Sequence, residues 1–92
     1  MRSKECHLLV ENVLGLHARA SAKIVNLASE FDDATEIFLS HEGIEVNAKS
    51  ILGLMMFAAA KGTTLKARAK GPQAAAAIAA LQDLFQRKFD EE

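Results

Sequence analysis

Three histidines and one cysteine, His7, His17, His41 and Cys6, are the side chains of this sequence best suited to nucleophilic or metal chemistry. The histidines stand too far apart along the chain to read as a metal site, and no second cysteine joins them. No G-x-S-x-G is present, so a nucleophile elbow is absent. The stretch Ala60-Lys61-Gly62-Thr63-Thr64 has some lettering of a phosphate-binding loop, but the lysine precedes the glycine and the second glycine is missing. No acidic cluster suggests magnesium. No metal, no cofactor and no self-contained enzyme are therefore expected. What remains is Leu14-Gly15-Leu16-His17-Ala18-Arg19-Ala20. A helical pattern opens at His17, which puts the imidazole at the N-cap, with the unpaired N–H groups of Ala18, Arg19 and Ala20 pointing toward it. Such an end binds phosphate through its backbone. The dipole and the Arg19 guanidinium favour the neutral ring, whose nitrogen is a nucleophile. The same groups would then stabilise the charge of a phosphorylated ring. The bland alternative is a histidine that merely caps the helix beside a solvated arginine.

The elements that position this segment are legible from periodicity. Cys6, Leu8 and Val10 alternate with polar or exposed neighbours in a first strand, followed by a turn at Asn12 to Gly15. Ala20, Ile24, Leu27, Ala28 and Phe31 form the apolar stripe of a first helix, with Lys23, Asn26 and Glu30 opposite and Asp32-Asp33 ending it. Ile37 and Leu39 mark a second strand, His41-Glu42-Gly43 a hairpin turn, and Ile44, Val46 and Ala48 a third strand. A short helix and its exit follow from Ser50 to about Ala60, broken by Lys61-Gly62. Leu65, Ala67 and Ala69 alternate with Thr64, Lys66, Arg68 and Lys70 in a fourth strand. Gly71-Pro72 starts the last helix, with proline in its first turn, and Ala74, Ala77, Ile78, Leu81 and Phe85 make its buried stripe. The tail Asp90-Glu91-Glu92 is expected to be frayed and solvated. The order is β-α-β-β-α-β-α. If the fourth strand lies between the first two, every pair is antiparallel, and three helices can cover one face of an open two-layer α+β sandwich.

Bulk properties narrow the class of function. The 92 residues suffice for one domain, residues 1–92, with one core. A net charge of −1 and the absence of Trp and Tyr disfavour a general nucleic-acid binder. The lone Cys6, read as a small core hydrophobe, allows no internal disulfide and suits a reducing compartment. Met1-Arg2-Ser3-Lys4-Glu5 does not read as a secretory signal, and Leu54 to Ala60 is too short to span a membrane. A cytoplasmic protein without membrane insertion, acting as a monomer, is expected.

From Leu14 onward the chain resembles HPr, the histidine-containing phosphocarrier of the bacterial phosphoenolpyruvate-dependent phosphotransferase system. The resemblance rests on Gly15-Leu16-His17-Ala18-Arg19, on Val46-Asn47-Ala48-Lys49-Ser50-Ile51-Leu52-Gly53-Leu54-Met55, and on Lys61-Gly62-Thr63. It implies that Nδ1 of His17 receives phosphate from phospho-enzyme I and passes it to IIA-type domains. It implies that Arg19 is the assisting cation and that the sheet order is 1-4-2-3. Ser50 matches the family's regulatory serine, a target of a dedicated kinase and its phosphatase in some bacteria, although serine here is equally a favoured N-cap. Ile51, Leu52 and Met55 would form an apolar rim beside His17 for docking, against the alternative of core burial; Lys23 and Asn26 could border it. Many members have Pro where Ala20 stands, and alanine restores one N–H near the phosphate site. His7 reads as a solvent-facing strand residue and His41 as a turn residue.

Three functions remain in view. The first is a phosphoryl relay for carbohydrate uptake. The second is a regulatory phosphocarrier, because Gly71-Pro72-Gln73 through Leu84-Phe85 to Phe89-Asp90-Glu91 looks similar to the nitrogen-related branch, NPr. The third is a small nucleic-acid-binding α/β domain, which a salt titration with oligonucleotides would test.

Overall fold

A computed structural model describes residues 3–91 of the chain. Its elements are β1 (Ser3–Leu9), α1 (Ala18–Ala28), β2 (Glu36–His41), β3 (Ile44–Asn47), α2 (Ile51–Met56), β4 (Thr64–Lys70) and α3 (Ala74–Gln86), followed by a single turn at Lys88–Asp90. β4 shows how alternation becomes structure. Leu65, Ala67 and Ala69 are fully buried while the residues between them face outward. Because β4 is covered on one face only, its polar side chains stay hydrated and its alanines let a helix approach closely.

The sheet order is β1-β4-β2-β3, and every pairing is antiparallel. α3 lies against β1, β4 and β2, while α1 packs on α2 and α3. The result is the open-faced α+β sandwich expected from the element order. Its core joins Leu8, Ile24, Leu39, Leu54, Leu65 and Leu81, none more than 2% exposed. On the open face Arg68 bonds Glu45 at 2.9 Å and lies 4.7 Å from the centre of the Phe38 ring.

Several boundaries differ from the periodicity reading. α1 stops at Ala28, capped by Ser29, whose N–H reaches the Val25 carbonyl. Asp32 instead organises the next turn, accepting from the Ala34 N–H at 3.0 Å. β3 ends at Asn47, before Ala48, and Ile44 is 63% exposed because β3 is an edge strand that little covers. Pro72 precedes the last helix rather than sitting in its first turn, and Gln73 is the N-cap. His41 is the last residue of β2, with its ring edge toward Phe57. Its neighbours Glu42 and Gly43 both have positive φ, as a two-residue hairpin turn requires.

The largest correction is at the C-terminus. Phe89 is completely buried, 4.8 Å from Phe85 between ring centres. Glu91 bonds to two side chains far away in sequence, so the tail is docked through that residue rather than frayed. Glu92 lies outside the described residues.

Candidate functional site

The segment that carries His17 is held from below by the loop before β4. Val10 and the Gly62–Thr63 turn exchange backbone hydrogen bonds of 2.8 Å, and the Leu16 N–H donates to the Ala59 carbonyl at 2.9 Å. Gly15 makes this approach possible. Its φ is +68°, and a Cβ there would stand 2.3 Å from the Ala59 oxygen. The Lys61-Gly62-Thr63 motif therefore has a structural task, to brace the histidine loop.

His17 is the N-cap of α1, with extended backbone, and its carbonyl accepts from the Ser21 N–H at 2.9 Å. The Arg19 N–H donates to His17 Nδ1 over 3.4 Å, a long and weak bond. The ring is 27% exposed, so an external group can reach it. His17 is thus the N-cap expected from the sequence, with the Arg19 amide directed at its ring. Ala18 and Arg19 are exposed at the helix start, and Ala20 is buried beneath them.

On the other edge of the ring stands a residue the sequence did not disclose. Glu91 Oε2 lies 2.5 Å from His17 Nε2, and Glu91 Oε1 accepts from Asn12 Nδ2 at 2.9 Å. Asn12 is fully buried and also donates to the Gly15 carbonyl at 2.8 Å. A carboxylate at Nε2 requires the proton there, which leaves the lone pair on Nδ1 facing the helix start. Burial alone would push the Glu91 carboxyl up. The bonds from Asn12 and His17, with the pull of His17 and Arg19, outweigh that and hold it below the ordinary glutamate range. A carboxylate whose folded value is depressed stabilises the fold above its unfolded value and loses that contribution as pH falls through the folded one. Denaturant titrations between pH 5 and 2 should accordingly show the advantage of the wild type over Glu91→Ala shrinking below roughly pH 4.3. A pH-independent difference would contradict this.

The remaining sequence candidates fall into place as follows. Lys23 is half-buried rather than on a free face, because its ammonium bonds to the Phe89 carbonyl across to the C-terminal turn. Asn26 is exposed as expected. Ser50 caps α2, its hydroxyl accepting from the Gly53 N–H at 3.0 Å. Ile51, Leu52 and Met55 point outward, with Leu52 73% exposed, so core burial is not their role. Met56, Val13 and Leu14 are also exposed. An apolar hollow of about 200 Å³ between β3 and α2, lined by Ile44, Val46, Met56 and Phe57, does not include His17. His7 is exposed on β1, and burial pushes the Cys6 thiol up, as befits a residue packed against the core. Among the described residues no group of three or more His, Cys, Asp or Glu side chains could hold a metal. No helix there is long and apolar enough to cross a membrane.

A braced loop that presents one histidine at a helix N-terminus, on an open-faced sandwich ordered 1-4-2-3, defines a class of carrier domain. The family model described as the phosphotransferase-system HPr component phosphorylation site matches residues 4–87. The phosphocarrier protein HPr of Xylella fastidiosa (strain 9a5c) is 48% identical over 88 residues, covering 96% of this chain and 97% of that one. The phosphocarrier protein NPr of Escherichia coli (strain K12) is 40% identical over 83 residues, covering 90% and 91%. A crystal structure of HPr from Thermoanaerobacter tengcongensis superposes with a TM-score of 0.90 at 40% identity, covering 97% and 98%. The chain belongs to the HPr family of phosphocarriers, which work in the phosphoryl relay of the phosphotransferase system.

Proposed function

We propose that the protein accepts a phosphoryl group on Nδ1 of His17 from phospho-enzyme I and delivers it to IIA-type domains for carbohydrate uptake. The observation that supports this most is the ring itself: capping α1, reachable from outside, with its Nδ1 edge toward the Arg19 backbone amide at the helix start. The Nδ1 lone pair attacks phosphorus as the donor's bond to phosphorus breaks, and the donor's leaving group keeps that electron pair. The onward step is the same exchange in reverse with a new acceptor. The amides of Ala18, Arg19 and Ala20 and the Arg19 guanidinium hold the transferred dianion. Backbone amides and one mobile arginine bind it loosely enough to let it go.

Nothing in this scheme calls for a cofactor, and the protein serves as the substrate of phosphoryl-transfer enzymes in the cytoplasm rather than as an enzyme. Ile51, Leu52 and Met55 offer a small apolar docking surface, with Asn26 at its border; a flexible methionine suits two partners in turn. Lys23 contributes less to it, being committed to the C-terminal turn. Phosphorylation of Ser50 by a serine kinase would place a dianion at the α2 start, between this rim and the bond to Gly53.

The relay is tested with enzyme I, phosphoenolpyruvate and the full chain. Acid-labile incorporation of one phosphoryl group, mapped to His17 Nδ1 by phosphorus NMR, is expected. Acid-stable label or label elsewhere would refute it. The likeness to NPr supports a second reading, a regulatory carrier of the nitrogen branch. Competition between sugar-type and nitrogen-type IIA domains separates the two. Exclusive transfer to the nitrogen type selects the second reading.

A further inference from the structure

We propose that Glu91 is a positioning residue for His17, keeping the proton on Nε2 throughout the relay so that Nδ1 is always the nucleophilic edge. The inference rests on the phosphoryl relay proposed above, but not on the family match, which ends at residue 87.

Geometry fixes the direction of every hydrogen bond at this site. Asn12 is buried, and its amide nitrogen is committed to the Gly15 carbonyl as well as to Glu91 Oε1. The Asn12 amide cannot rotate without losing the bond to Gly15. Glu91 Oε1 is thus an acceptor from Asn12, and Oε2 faces Nε2 at 2.5 Å. A carboxylate only accepts, so Nε2 carries hydrogen. On the opposite edge the Arg19 N–H faces Nδ1, which must then be the acceptor. The two bonds specify the same tautomer. The carboxylate does for this ring what the buried aspartate does in a Ser-His-Asp triad: it selects tautomer and orientation and stabilises the cation that forms.

The charge balance gives this contact a role in both directions. Attack by neutral, Nε2-protonated imidazole leaves an N-phosphoryl imidazolium, and its positive charge sits against Glu91. When the phosphoryl group leaves, the N–P electron pair returns to Nδ1 and the neutral ring is regenerated. No proton has to enter or depart. The ring alternates between neutral and cationic while the Nε2–H stays on the same carboxylate.

The C-terminal turn is built to deliver this side chain. Lys88, Phe89 and Asp90 have φ of 54°, 57° and 59°, a left-handed turn made without glycine. Such backbone persists only where the surroundings over-determine it. Here the anchors are the buried Phe89 ring, the Lys23 bond to the Phe89 carbonyl, and the Glu91 bonds themselves.

The test compares E91Q with E91A. In E91Q the amide oxygen faces the Asn12 NH2 group, which its bond to Gly15 holds in place, so the glutamine NH2 group faces Nε2. That ring edge must then accept, and the proton moves to Nδ1. Nitrogen-15 NMR of the ring at neutral pH should show the Nε2–H form in the wild type, the Nδ1–H form dominant in E91Q and a mixture in E91A. Transfer from phospho-enzyme I should fall at least tenfold in E91Q and less in E91A. A merely structural role predicts the opposite order, since glutamine preserves the shape and alanine does not. An Nε2–H ring in E91Q, or transfer by E91Q at the wild-type rate, would overturn the proposal. The tautomer measurement needs no phosphoryl donor. If the wild type takes no label, the relay fails; if the tautomer ignores residue 91, this inference fails.

Discussion

His17→Ala takes no phosphoryl label from enzyme I, and transfer drops on the order of 10⁴-fold or more, as removal of a nucleophile does elsewhere. The other two histidines cannot substitute. His7 is exposed within β1, a strand position and not a helix N-cap. His41 places its ring edge toward Phe57 and its Nε2 2.9 Å from Glu42, in a hairpin without free helical amides. The variant should fold. The ring is not part of the core and the cap bond it loses is long, but its bond to Glu91 is lost too, so the expected cost is about 1–2 kcal/mol. Asn12 remains bonded to the Glu91 carboxylate, and the charge of Arg19 still attracts it. Intact-mass spectrometry of the labelled protein beside a urea titration checks both halves. Label retained by His17→Ala would end the relay proposal.

Phe89→Ala has the largest expected effect on stability. Removing a fully buried ring that packs edge-on against Phe85 costs about 3–5 kcal/mol when the site cannot collapse. The whole domain has roughly 5–15 kcal/mol to lose. The left-handed turn adds to the effect, at roughly 1–2 kcal/mol of backbone cost per residue. Without the ring only the polar bonds of Lys23 and Glu91 are left to offset that cost, so residues 88–91 are expected to detach together. Their amides should then exchange quickly with solvent, and Glu91 should leave Nε2. The urea midpoint, amide exchange at residues 88–91 and the His17 tautomer measure the three consequences. A variant with wild-type stability and a docked Glu91 would show that the turn is held by something other than Phe89.

These two residues also mark where the sequence is readable. His17 declares itself because a glycine before it, an arginine after it and an apolar helical stripe beyond it all indicate a helix start. Strand direction makes the observed order possible, since β4 between β1 and β2 leaves each pair antiparallel, but it allows β3 there as well, and the resemblance to HPr is what singles out 1-4-2-3. Phe89 and Glu91 give no comparable signal. A turn in left-handed conformation is usually announced by glycine or asparagine, and Lys-Phe-Asp contains neither. An acidic chain end reads as solvated, and no local pattern connects it with Asn12 or His17. Lys23 was misread for the same reason: helical periodicity places it outside, but the partner that half-buries it arrives from the far end of the chain. The exposure of Ile51, Leu52 and Met55 was undetermined because a six-residue helix is too short to show which face its apolar residues take.

The position of β4 has a consequence for how the chain is born. Among the described residues β4 alone joins β1 to β2, and it follows the other three strands in the sequence. Until residues 64–70 leave the ribosome, the nascent chain can form the β2–β3 hairpin and its early helices, but β1 has no neighbour to pair with. Docking of the C-terminal turn must wait longer still. Each molecule therefore completes the surroundings of its histidine only after residues 64–70 and the turn that carries Glu91 have emerged.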